Sequence, residues 1–331
     1  MSVFNSPFVM WVRIKVAGFR RRFDPWYIRR RKRILAEELA RNAPYERGDA
    51  DVWYPPVMSM RETLRVVIER RLSACRYGDG EFEIVDEQKD KTTFQEYDEC
   101  LRDRLREILS RPLENCLCCI PDIYGPLARY VEGDQRTWRR VALWSREKAL
   151  RFLGDAYRNP GSEFRLGDAL VSRPYLGIAD KSTAPKIFDL WKELFADKDL
   201  LVVEGRYSRL GVGNDLFDGA RSVRRIWCPA TNAFGKYEEI LSAVRGQAKK
   251  SDLIILALGM TATVLAYDLA KEGYWAVDTG HLDVEYMWMR MGVTEKVPIP
   301  GRYVNECENG HEHVSEKDEL ERYHVVATVG C

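Results

Sequence analysis

The stretch DLIILALGMTATVLAYDLAKEGYWAVD, residues 252–278, decides the fold. It opens on an apolar run closed by Gly259, the pattern of a short strand covered on both faces. TATVLAYDLAKEG then carries strong helix formers and ends on glycine, and YWAVD follows as a second short strand. Strand, helix and strand in this order imply a parallel pair joined by a right-handed crossover. The same alternation extends upstream, with APKIFDLWKELF and KYEEILSAVRGQ as helices and DLLVVEG and SVRRIWCPA as strands. The expected fold is α/β: a Rossmann-like, mostly parallel sheet flanked by helices.

The first half is less regular. MRETLRVVIERRLSA places Leu64, Val67, Ile68 and Leu72 at helical spacing and predicts a helix running straight into RYGDGEF, residues 76–82. FQEYDECLRDRLREIL predicts a helix over 94–109, stopped by Pro112, and a third is expected near 135–153. CLCCIPD and ALVSRPY read as strands, and YHVVATV as an edge strand closing the sheet. Residues 1–55 form a basic, aromatic-studded and helical extension, and 56–331 the α/β domain.

Composition narrows the classes. With 52 Lys and Arg against 51 Asp and Glu, and no basic, aromatic-interleaved face in the core, a nucleic-acid module is a poor fit. No apolar run of about 18 residues or more occurs, and no secretory cleavage pattern is evident. The 8 cysteines are irregularly spaced, several in apolar runs, which suits buried thiols in a reducing compartment and a cytoplasmic location. The leader FRRRFDPWYIRRRKRIL has two readings: peripheral contact with the anionic inner face of the plasma membrane, or a solvated helix packed on the domain or a partner.

In an open parallel sheet, ligands bind beyond the carboxyl ends of the strands. Three stretches stand there, and RYGDGEF, which follows the first predicted helix, is a fourth candidate. RYGDGEF sets Asp79 and Glu81 on either side of Gly80, beside Gly78 and Arg76; two like charges so close favour a cation between them. Hard oxygen ligands suit Mg²⁺ or Mn²⁺, and the competing reading is a turn whose acids face water. VVEGRYSRLGVGND offers Glu204, Arg206, Arg209, Asn214 and Asp215, although its glycines do not give GxGxxG. LALGMTATVLA places Gly259, Thr261 and Thr263 where a helix N-terminus would favour a diphosphate, with Thr261 as an N-cap in the alternative. VDTGHLDVEYMW gathers Asp278, His281, Asp283 and Glu285, and a helix beginning near His281 would put His281 and Glu285 on one face. His311 and His313 near Cys307 lack the second cysteine pair of a zinc site.

Taken together, RYGDGEF, VSRPY, EGRYSRLGVGNDLF, RRIWCPATNAFGKYEEIL, DLIILALGMTATVLAYDLAKEGY and DTGHLDVEYMW resemble the successive blocks of the GT-D fold glycosyltransferases over residues 59–330. The resemblance implies a Rossmann-like fold and a nucleotide-sugar donor such as UDP-glucose. It implies an Asp-x-Glu element, here Asp79 and Glu81, that binds Mn²⁺ or Mg²⁺ and the donor's diphosphate. The acceptor would be a glycan, a glycoprotein or a lipid-linked sugar in polysaccharide or glycoconjugate biosynthesis. Met260 departs from the proline of the LGPTAT form. Arg173, Arg206 or Arg209 would face the leaving group, Asp283 or Glu285 would act as base, and His281 would orient it or bind the sugar. Two rivals are a nicotinamide oxidoreductase, which lacks its GxGxxG here, and a non-catalytic, membrane-associated binding subunit of a polysaccharide assembly.

Overall fold

A computed structural model describes residues 25–88, 94–159, 161–302, 304, 306–307, 310 and 324–330. The chain divides into two compact units, Met1–Trp53 and Tyr54–Cys331. In the first, the described structure is one helix, α1 (Pro25–Arg47), which exposes Trp26, Ile28 and Ile34 among its arginines. The arginines before Pro25 lie outside the described residues. Among those described, no helix is long and apolar enough to cross a membrane.

The second unit is built on eight strands, all paired in parallel: β1 (Ser73–Arg76), β2 (Cys116–Ile120), β3 (Gly167–Asp168), β4 (Asp199–Gly205), β5 (Ser222–Cys228), β6 (Leu253–Ala257), β7 (Trp275–Asp278) and β8 (Val325–Thr328). Their spatial order is β3-β2-β1-β7-β6-β4-β5-β8. The apolar runs of β4 and β6 lie side by side and are buried throughout except at one end each, as expected of strands covered on both faces. β7 seats itself beside β1, with Ala74 opposite Val277, so the two halves of the chain meet there. The order of strands reverses at this seam, and such a seam opens a crevice at the strand ends.

Seven helices position the site: α2 (Met60–Arg70), α3 (Asp79–Val85), α4 (Glu99–Ser110), α5 (Glu132–Lys148), α6 (Thr183–Phe195), α7 (Met260–Lys271) and α8 (Leu282–Met291). α7 is buried on nearly every side, which explains its continuous apolar character. α2 starts in a capping box, with Ser59 and Glu62 exchanging side-chain-to-backbone hydrogen bonds of 3.2 and 2.9 Å.

Three expectations are corrected. The helix over MRETLRVVIERRLSA ends at Arg70: Arg71 turns left-handed at φ 52°, and Ser73–Arg76 becomes the buried strand β1. α4 begins at Glu99 rather than 94, because Asp98 caps it by accepting from the Leu101 amide at 2.8 Å. ALVSRPY is not a strand. The strand stops at Asp168, whose carboxylate accepts from the Leu170 amide at 2.9 Å and bends Ala169–Ser172 into a 3₁₀ turn. The edge strand within YHVVATV is present as β8, on β5.

Candidate active site

A cleft of about 600 Å³ opens at the carboxyl ends of β1, β7 and β6. Its floor begins where β1 ends. Tyr77 is fully buried and its hydroxyl donates to the Leu105 carbonyl at 2.6 Å, which fixes the turn. Gly78 then caps α3, and Asp79 and Glu81 occupy that helix's first turn, where the dipole favours negative charge. Glu81 accepts from the Gly78 amide at 2.7 Å. Burial pushes its carboxyl up to about 7, against the Gly78 amide and the Arg76 guanidinium, which favour the ionised form. Asp79 is exposed at the cleft and makes no hydrogen bond among the described residues.

Arg76 reaches across the seam. Its Nη1 donates to the Ala169 carbonyl at 2.9 Å, and its Nε lies 3.4 Å from Asp278 at the end of β7. The path is open only because residue 280 is glycine: at φ 46° a side chain is strained, and a Cβ would stand 1.8 Å from Arg76 Nη2. Burial raises the Asp278 carboxyl, with Arg76 opposing.

The third strand end brings Gly259 and Met260. Gly259 caps α7 without a side-chain hydrogen bond and holds φ 54°, and a Cβ there would strike the Phe94 ring at 2.4 Å. Met260 packs its methyl over Gly80, where a Cβ would stand 2.7 Å away, so the departure from proline fills space between the two loops. Thr263 and Thr261 are fully buried and do not line the cleft. Thr263 donates to the Arg76 carbonyl at 2.8 Å, tying α7 to β1, and Thr261 is not the N-cap.

A polar cluster closes another side. Arg173 pairs with Glu306 and meets His281 Nδ1 at 2.8 Å. A guanidinium can only donate, so Nδ1 accepts and the proton sits on Nε2, which lies 3.1 Å from Glu306 Oε1. Burial works against charge on Glu306, yet Arg173 above all, and Lys296, hold its carboxyl well below the usual range. Glu285 Oε2 accepts from the Tyr175 and Leu176 amides, both at 3.0 Å; burial raises this carboxyl against Arg173.

Asp283 borders the cleft but is saturated. It accepts from Gly211 N at 2.8 Å, Asn214 Nδ2 at 2.7 Å and Arg302 Nε at 2.6 Å, so the carboxylate named above as a base holds its loop instead. Five other expected residues lie away from the cleft. Glu204 is buried in an ion pair with Arg225 and accepts from the Leu210 amide at 2.9 Å. Arg209 donates to the Gly301 carbonyl at 2.8 Å, and the Arg206 guanidinium lies 5.5 Å over the Trp227 ring. Asn214 serves Asp283, and Asp215 accepts from Lys192, Tyr286 and Arg290 at 2.6–2.9 Å.

Several cleft residues went unnoticed in the sequence: Glu306, Lys296, Tyr207 and Trp138. Glu306 opens ECENGHEHVSEKDELE, residues 306–321, an acid-rich run in which nothing distinguishes it. His311 and His313 lie outside the described residues, and among those described no three His, Cys, Asp or Glu side chains gather to hold a metal.

A parallel sheet with a crevice at its seam defines an open α/β fold of the kind that takes its ligand at the strand ends. The model of the family described as "Glycosyltransferase GT-D fold" matches residues 74–307, and the chain belongs to that family. Among curated proteins it is 40% identical over 251 residues to "Probable glycosyl transferase Gly" of Streptococcus gordonii, covering 76% of this chain and 35% of that protein. It is 37% identical over 251 residues to "Glycosyltransferase GlyD" of Streptococcus pneumoniae serotype 4, covering 76% and 30%. The chain thus spans about a third of the length of these relatives. A solved structure titled "The highly conserved domain of unknown function 1792 has a distinct glycosyltransferase fold" superposes with TM-score 0.76 at 35% identity, covering 89% of this chain and 100% of that one. Another, "A New Glycosyltransferase (DUF1792) from Streptococcus sanguinis", gives TM-score 0.72 at 39% identity, over 84% and 100%.

Proposed function

We propose that the Tyr54–Cys331 unit transfers a hexose from a UDP-sugar to a glycan, glycoprotein or lipid-linked acceptor, with Mn²⁺ or Mg²⁺ as its ion. The observation that carries this reading is the pair Asp79 and Glu81 in one helical turn at the cleft, beside Arg76 and the start of α7, which has no side-chain cap. Two carboxylates leave room for phosphate oxygens and water, the usual coordination of Mg²⁺ and a fitting one for Mn²⁺. The ion, when bound, neutralises charge on the leaving diphosphate.

The chain's own groups do the rest. Arg76 and Arg173 offer donors to phosphate oxygens, and the amides at the start of α7 add their dipole. In the transfer, the acceptor oxygen bonds to the anomeric carbon as that carbon's bond to the phosphate oxygen breaks. The electron pair leaves on the nucleoside diphosphate, and the acceptor's proton goes to a base. Glu285 is the better candidate for that base: its Oε1 has no hydrogen bond among the described residues, and burial raises its proton affinity. His281, neutral and bound to Arg173, orients that side of the cleft.

The test is a panel of nucleotide sugars assayed for metal-dependent hydrolysis and transfer with wild type, Asp79→Asn and Glu81→Gln. Losses of about a hundredfold or more are expected, since charge neutralisation at a leaving group is worth several kcal/mol. Wild-type rates in both variants would end the assignment. Peripheral membrane contact through α1 belongs to the same reading, supported by its arginines and exposed Trp26. Salt-sensitive binding to anionic vesicles, lost on removing residues 1–42, is the expected result, and equal binding without them would refute it.

A further inference from the structure

A second wall of the cleft takes no part in the chemistry above. It comes from α5, where Asp134, Thr137 and Trp138 stand at i, i+3 and i+4 and share one helix face. All three line the cleft. The loop Leu176–Ile178 lies against the start of this helix: Tyr130 bridges to Ile178, and the Val131 amide donates to the Gly177 carbonyl at 3.0 Å.

The wall is built to hold fixed shapes. A Cβ on residue 177 would stand 2.5 Å from Asp134 Oδ2, so glycine there makes room for the carboxylate. Trp138 is half-buried and packs on Tyr130 with ring centroids 6.1 Å apart. Tyr130 is itself buried, with its hydroxyl donating to the Asp122 carbonyl at 2.8 Å, so the indole leans on a rigid neighbour. Yet among the described residues the Asp134 carboxylate, the Thr137 hydroxyl and the Trp138 indole N–H make no hydrogen bonds. An aromatic plate, a hydroxyl and a carboxylate that also feels the Lys181 ammonium thus keep unused hydrogen-bonding capacity in one half-open cavity.

These groups select a ligand by chemistry. A pyranose ring has an apolar face of C–H bonds that stacks on an aromatic plate, and its hydroxyl hydrogens suit a carboxylate acceptor. A phosphate or uronate would meet Asp134 as a like charge. We propose that Trp138, Asp134 and Thr137 form the acceptor subsite and hold a neutral pyranose at the end of a glycan. Trp138 is the stacking plate, and Asp134 receives the sugar's hydroxyl hydrogens. This rests on the glycosyl-transfer reading for its role, but its binding chemistry stands apart from turnover.

Two measurements test it. Saturation-transfer NMR with methyl β-glucoside and methyl N-acetyl-β-glucosaminide, and with methyl glucuronide as charged control, is run on wild type, Trp138→Ala, Trp138→Phe and Asp134→Asn. Wild type should bind a neutral glycoside and not the glucuronide. Trp138→Ala should weaken binding by about tenfold, with Trp138→Phe recovering most of it. With p-nitrophenyl glycosides as acceptors, the ratio of transfer to donor hydrolysis should fall about tenfold in Trp138→Ala. Unchanged glycoside binding and an unchanged ratio in a folded Trp138→Ala protein would overturn the subsite, as would wild type binding no neutral glycoside at millimolar concentration. If wild type turns over no nucleotide sugar, the transfer reading fails, and the NMR result still decides the subsite.

Discussion

The ends of β1 and β4 carry equally polar, glycine-bearing loops, and the structure uses them in opposite ways. After β4, Glu204, Arg209, Asn214 and Asp215 each bind within the chain, to Arg225, Gly301, Asp283 and Lys192 in turn. That loop locks α8 and the segment around Arg302 onto the sheet. After β1, Asp79 has no hydrogen-bond partner among the described residues, and Glu81 has only the Gly78 amide as an oxygen's donor. Polar groups already satisfied by their own chain hold a site in place. Those left unsatisfied at a strand end are available to a ligand.

The contrast breaks most visibly at Glu204. Glu204→Ala removes the buried carboxylate that pairs with Arg225, itself 5% exposed, and the acceptor of the Leu210 amide. The expected loss is about 3–5 kcal/mol of stability, read as a fall in the urea midpoint. Replacing both partners by methionine should recover much of it, because no buried charge then lacks a partner. Asp79→Asn sharpens the comparison from the other side: with no hydrogen bond to lose and only its favourable place in the first turn of α3 at stake, its melting temperature should change little while turnover collapses. A Glu204→Ala protein as stable as wild type would mean that the β4 loop does not hold the site.

What the sequence disclosed follows the same division. The strands β4 to β7 and the helices between them were legible because continuous apolar runs and helical periodicity are properties of local composition. β1 was missed because four residues, SACR, follow a helix whose spacing they continue, and only the left-handed Arg71 separates them. At Asp79 and Glu81 unusual local chemistry marked two residues that the structure places at the cleft. The site was overread at Thr261, which is buried away from the cleft, and at Arg206, Arg209, Asn214 and Asp215, since a sequence lists polar groups without saying which already have partners far along the chain, as Asn214 and Asp283, 69 residues apart, do. Trp138 was invisible for the converse reason. A tryptophan on an amphipathic helix has the same signature whether it faces the core or a cleft.

The smallest effect belongs to Asp215, and it separates ion pairing from simple packing in the β4 loop. The hydrogen bond from Lys192, then that from Tyr286, holds this carboxyl down at about 2, below its ordinary 3.8. A carboxyl lowered on folding adds stability above about 3.8, and that contribution disappears as the pH falls through about 2. Its side chain is 44% exposed, so solvent screening limits the loss in Asp215→Asn to at most about 1 kcal/mol near neutral pH. Wild type and variant should therefore differ slightly in urea midpoint above about pH 5 and converge as the pH drops towards about 2. A difference that stays constant over that range would show that Lys192, Tyr286 and Arg290 pack on Asp215 without needing its charge. Asp215 would then act by shape, leaving the buried Glu204–Arg225 pair as the charged contact that matters at the end of β4.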